Sequence, residues 1–249
     1  MASAPLGGDA GAGGKTIMFD ASKKEVCTLN SGYRQLQRRL KTAGGGNTYR
    51  LTPNRDEITL DTLRDADVVV FGGPRDRFTN AEFDAIKQYI NEYDGSVLLC
   101  MGEGGEPHFN KKNVNYLLED YGIMVNSDAV VRTVYYKYLH PKEVYVSTGI
   151  VNREINRAAA RGKGKEGAEP AQLAFVYPYG ATMAVQKPAV PILSSGYISY
   201  PLNRPVAAMH ESKTGKGRLC VLGSSAIFDD KWLDKEDNAK LADVIFRWL

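Results

Sequence analysis

Few residues in this sequence could do covalent or acid–base chemistry, and their spacing decides what they could do. There are three cysteines (Cys27, Cys100, Cys220) and three histidines (His108, His140, His210). No two of them stand at zinc-ligand spacing, so no metal centre is expected. Cys100 closes an apolar run, and the turn GEGGEP follows it at 102–107. A nucleophile elbow reads Gly, any residue, nucleophile, any residue, Gly. Laid over 100–104, that frame keeps its last glycine but puts Gly102 in the nucleophile's place. Glycine has no side chain to attack with, and Cys100 reads as a buried structural thiol. Glu103 and Glu106 are paired carboxylates at the presumptive sheet edge. They suit acid–base or cation work, or hydrogen-bond loop amides in a purely structural role.

Ser225, His210 and Asp229 make a triad on paper. Ala226 and Ile227 follow where an elbow needs its glycine, so a cap or turn is the expected role of that serine. GAGGKT at 11–16 has the letters of a phosphate loop. Asp9 stands in its first glycine's place, and the loop precedes a strand instead of joining strand to helix, so no amides converge on a phosphate. Tyr135, Tyr136, Tyr138 and His140 interleave with Lys137 as single-strand nucleic-acid platforms do. Eight of the 14 tyrosines lie between Tyr135 and Tyr200. That density fits half-buried strands and protein interfaces alike. The segments 135–140 and 197–204, with Tyr197 and Arg204 in the second, are the candidate partner surface.

The elements that must position these residues alternate in the first half. Apolar runs at 16–19, 66–72 and 96–101 read as strands, the latter two buried on both faces. Helices are expected over 31–42, from the Thr79/Glu82 capping box to Gly95, and over 114–121. A strand at 218–222 and a helix capped by Asp234 close the chain. Strand–helix alternation implies right-handed crossovers and a mostly parallel sheet with helices on both faces. The middle, about 123–209, carries short strand signals, and six of the 11 prolines lie in 170–205. Proline cannot donate to a ladder, so these pieces belong at sheet edges or in loops, as a β-rich elaboration on the parallel sheet.

Composition limits the function classes. Thirty-two basic and 29 acidic residues leave +3, too little for a protein that neutralises many duplex phosphates. No apolar stretch approaches the ~18 residues of a membrane span. Three widely spaced cysteines exclude a disulfide framework and suit a reducing compartment. Residues 1–14 are Gly/Ala-rich, without the basic start or apolar core of a secretory signal, and read as a disordered tail. The segment 158–171 reads as a mobile loop, and 15–249 as a single domain.

Three long stretches carry a resemblance: KKEVCTLNSGY at 23–33, FGGPRDRFTNAEF at 71–83 and MGEGGEPHF at 101–109. With 113–143, NREINRAA at 152–159, YPLNRP at 200–205 and 233–249, they resemble the GIFT-domain family of intraflagellar transport subunits. The resemblance implies a class I glutamine-amidotransferase-like, flavodoxin-like α/β fold. In that fold a Gly-Gly-Pro loop, here 72–74, precedes the strand leading to the catalytic elbow. Losing the covalent nucleophile costs on the order of 10⁶ in turnover, so Gly102 implies a domain without amidotransferase activity and without a cofactor. The implied function is a non-catalytic scaffold subunit of the IFT-B train in the cilium or flagellum and its basal body. Its partners would be other IFT-B subunits, bound mainly through regions beyond this chain. The alternative is a small-ligand or carbohydrate module using a vestigial pocket of Gly73, Arg75, Gly102, Glu103, Glu106 and His108.

Overall fold

The computed structural model describes residues 14–42, 49–105, 114–160, 172–212 and 215–249. Most of the 1–14 tail and of the 158–171 loop, with Glu106 and His108, lie outside the described residues. Residues 158–160, expected in that loop, instead complete the helix Arg153–Ala160.

Strands β1 (Thr16–Asp20), β2 (Arg50–Asn54), β3 (Val68–Gly72) and β4 (Ser96–Cys100) lie parallel in the order β4-β3-β1-β2. In the middle region come β5 (Ile123–Val125), β6 (Val131–Arg132), β7 (Glu143–Val146), β8 (Phe175–Pro178), β9 (Met183–Val185), β10 (Val190–Ser194) and β11 (Ser199–Tyr200). Next are β12 (Pro205–Glu211) and β13 (Arg218–Leu222). β13 returns to pair in parallel with β4, and β12 and β10 extend that side antiparallel, completing seven strands. The middle also forms three two-stranded pairs, β6–β11, β5–β9 and β7–β8.

Alternation along the strands divides the core. Ile17, Phe19, Val68, Val70, Leu98 and Cys220 face one layer, which holds α1 (Arg34–Thr42) through Leu36 and Leu40 and the C-terminal helix Asn238–Trp248. Met18, Val69, Phe71, Val97, Leu99 and Val221 face the other. There they meet Leu63 of α2 (Leu60–Arg64), Phe83, Ile86 and Ile90 of α3 (Asn80–Glu92), and Leu117 and Leu118 of the helix Val114–Glu119. Period-two alternation thus buries both faces of one sheet. The expected Thr79/Glu82 capping box is present in both directions.

The structure corrects several boundaries. The first helix starts at Arg34, because Ser31 and Gly32 bridge back to Thr28. Asp234 does not cap the last helix. Asp237 precedes it, and its side chain makes no cap bond. β2 and β10 are the two edge strands and carry Pro53 and Pro191. An edge tolerates a missing donor.

Candidate functional site

Open α/β sheets bind ligands beyond the carboxyl ends of their strands, where the strand order reverses. Here that point lies between β1 and β3, and the chain's own residues 21–33 close over it. Val26 N donates to Gly73 O and Cys27 N to Gly72 O, both at 2.9 Å. A Cβ on Gly72 would stand 2.2 Å from the Cys27 carbonyl oxygen, so only glycine allows this approach. Gly73, at φ +81°, turns the chain away, and a Cβ there would press on Ser225 and Val26 at 3.1 Å. Arg75 is exposed, with its amide bonded to Lys23 O.

Beneath this cover lies a pair of carboxyl groups that the sequence reading missed. Asp20 is 1% exposed and Glu25 8%. Asp20 accepts from Ser22 Oγ and from Asn54 Nδ2 (2.8 Å), and Glu25 Oε2 accepts from Lys23 N. Burial, then hydrogen bonding to Asp20 and its charge, pushes the Glu25 carboxyl up to about 8. The hint in the sequence was Asp20 at the end of a buried strand, but the return of Glu25 onto it depends on the loop's path.

The glycine turn after β4 is covered as well, from the β-rich middle. Glu103 N donates to Tyr179 O (2.8 Å) and Gly104 N to Asp128 O (2.6 Å). The Glu103 carboxylate pairs with Lys142 at 2.6 Å. The left-handed backbone lies at Gly104 (φ +76°) and Gly105 (φ +54°), and a Cβ on Gly105 would fall 2.3 Å from Asn126 O. Ser224 Oγ donates to Pro178 O and Ser225 N to Met101 O, completing the seal. Gly73, Gly102 and Glu103 therefore sit among backbone of the same chain. The cleft of about 610 Å³, lined by Lys15, Asp67, Ser96 and Arg218, opens at the opposite, amino edge of the sheet.

The paper triad is dispersed. His210 on β12 sits in register with Leu219, near the amino edge, and packs its ring on Tyr121 at 5.0 Å, whereas Ser225 lies past the carboxyl end of β13. Cys27, Cys100 and Cys220 are free and buried. Burial pushes the Cys27 and Cys100 thiols up to about 12 and raises Cys220 as well, the reverse of an activated nucleophile.

The two tyrosine segments do come together. β6 pairs with β11, setting Val131 against Tyr200 and Arg132 against Ser199, and Thr133 Oγ1 donates to Ile198 O. Tyr136, Tyr197 and Tyr200 stand 73%, 63% and 67% exposed on this ribbon, and Tyr135 is 47% exposed beside Tyr145. Tyr138 turns inward, edge-on to Trp232 with its hydroxyl on Glu236. His140 accepts from Lys142 N and lies 5.1 Å from the Tyr179 ring. Arg204 is exposed at the base of the 195–204 loop, its amide bonded to Ser195 Oγ.

A family model described as the IFT52 GIFT domain matches residues 16–249. The chain is 49% identical over 241 residues to an intraflagellar transport protein 52 homolog of Mus musculus, covering 94% of this chain and 55% of that protein. The Homo sapiens homolog is 48% identical over 240 residues, covering 94% and 53%. The chain thus spans about half the length of these relatives. A solved structure described as the mmIFT52 N-terminal domain superposes with a TM-score of 0.83 at 50% identity, covering 94% of this chain and 96% of that one. A ThuA-like protein from Bacteroides uniformis shares the fold at 16% identity, with a TM-score of 0.56 and coverage of 100% and 93%.

Proposed function

The chain belongs to the IFT52 GIFT-domain family, and from that premise we propose that it serves as a non-catalytic interaction domain of an intraflagellar transport scaffold. In this reading it acts within the IFT-B assembly of the cilium or flagellum and contributes to building that organelle. The observation that carries the reading is the sealed carboxyl edge. Gly102 stands in the nucleophile's place, and the positions around it are occupied by Tyr179, Asp128 and the Lys142–Glu103 pair. Acyl transfer needs a nucleophile, a base and room for a substrate at one point; here the position expected for the nucleophile carries no side chain, and the Glu103 carboxylate beside it is held by Lys142. What the domain offers outward is the tyrosine ribbon, with residue types enriched at interfaces. The test is a pull-down with the tagged chain from ciliary extract, read by mass spectrometry for intraflagellar transport subunits. Tyr136→Ser with Tyr200→Ser should lower their recovery at least threefold while the unfolding temperature stays within about 2 °C, because both side chains are mostly solvated. Unchanged recovery rejects this surface.

A further inference from the structure

The β6–β11 ribbon has a charge pattern that specifies what kind of segment fits it. On the two segments that it joins, Val134, Tyr136, Leu139, Tyr197, Tyr200 and Leu202 are each more than half exposed, with Leu139 at 97%. Single exposed apolar residues are normal on a monomer, but a gathered set marks an interaction site. The charges around it are unequal in their commitments. Three carboxylates near this face, among the described residues, are already engaged. Glu236 holds Lys137 and the Tyr138 hydroxyl, Glu103 holds Lys142, and Glu143, 7% exposed, holds Lys231 and the Tyr179 hydroxyl. Two guanidinium groups are left without a carboxylate among the described residues. Arg132 donates to the carbonyl oxygens of Tyr138, Leu139 and His140 and lies 4.6 Å over the Tyr136 ring. Arg204 is exposed beside the loop that carries Tyr197, Tyr200 and Leu202.

We propose that this face binds an acidic, apolar-anchored segment of a partner protein. The anchors would cover the tyrosine and leucine side chains, and carboxylates would take the free fork of Arg204 and the solvent side of Arg132. Arginine beside exposed tyrosine is the composition of an interface hot spot, and a guanidinium meets a carboxylate with two parallel hydrogen bonds. A nucleic acid fits less well, because two guanidinium groups without a carboxylate partner neutralise too few phosphates to hold a strand at physiological salt. This inference rests on the interface reading above and adds the chemistry of the partner.

The test places the photo-crosslinking residue p-benzoylphenylalanine at position 136 or 197 of the protein in its native assembly. After irradiation, the joined peptide is identified by mass spectrometry. The expected product carries Asp or Glu within a few residues of the crosslink. Arg204→Glu should lower its yield about tenfold and 0.5 M salt severalfold, while Arg204→Lys, which keeps the charge and loses the fork, falls between Arg204→Glu and the unaltered protein. Circular dichroism of the Arg204→Glu protein checks that its fold is kept. Crosslinks to basic or uncharged sequence, to lipid or to nucleic acid overturn the proposal, as does no crosslink from either position. If the tyrosine variants weaken association and Arg204→Glu does not, the acidic assignment fails alone. If neither weakens it, the interface reading fails too.

Discussion

Residues 20, 25, 27 and 100 behave as they do because of where the backbone takes them. A carboxyl group drawn out of water beside a second one resists ionisation, and Glu25 is in that position against Asp20. Its native value near 8 exceeds the ordinary 4.5, so between those limits the folded chain keeps a proton that the unfolded chain releases. The stabilisation is complete below about pH 4.5 and is lost as pH rises through 8. Unfolding temperature should therefore fall from pH 6 to pH 9, and Glu25→Gln, which cannot ionise, should flatten that fall. Parallel pH curves for the two proteins, followed by calorimetry, would show that Glu25 is not the group responsible. The thiols obey the same physics. Ellman's reagent should release almost nothing from native protein and three equivalents in guanidinium, since Cys27, Cys100 and Cys220 are all buried. A fast native equivalent from Cys100 would reopen the question of chemistry at this edge.

Among the elements, α3 is the one whose start is written most fully in the sequence. Thr79 Oγ1 accepts from Glu82 N at 3.2 Å, and Glu82 Oε2 accepts from Thr79 N at 2.7 Å. Thr79→Ala should cost about 1 kcal/mol, the usual value of an N-cap. Glu82→Ala should cost more, about 3 kcal/mol, because it also leaves Lys23, whose side chain is 12% exposed, without its carboxylate. Equal losses for the two variants in urea unfolding would argue that the Lys23–Glu82 pair adds nothing. The cap and the buried central strands could be read from local pattern. The edge strands could not, because RLTPN has neither alternation nor an apolar run, and Pro191 interrupts the nonpolar letters of VPILS. Their place is set by neighbours already in the sheet. Lys23's approach to Glu82 is equally non-local, spanning 59 positions.

In the whole molecule, the β-rich middle is fastened to the parallel sheet by buried polar contacts as well as by packing. Asn238, 0% exposed, donates to the carbonyl oxygens of Val176, Ile227 and Trp232 and accepts from Val176 N. Asn238→Ala strands several of these groups away from water, and about 2–4 kcal/mol of stability should go with it. Because the contact joins insertion to core, urea unfolding should stay a single transition with unchanged slope and a lower midpoint. A separate early transition of the insertion would contradict that coupling. Local pattern in the sequence was enough for the parallel α/β class, the two-sided burial of its central strands and the density of tyrosine in two segments. These depend on residue type and on periodicity within one element. Only the tertiary structure decided that residues 21–33 and the Asp128–Lys142–Tyr179 contacts seal the sheet's carboxyl edge, that His210 and Ser225 lie at opposite ends, and that the tyrosine segments share one ribbon. Each of these is a matter of where separate segments end up in space, and such placement comes from strand order and loop path, which no local run of side chains encodes.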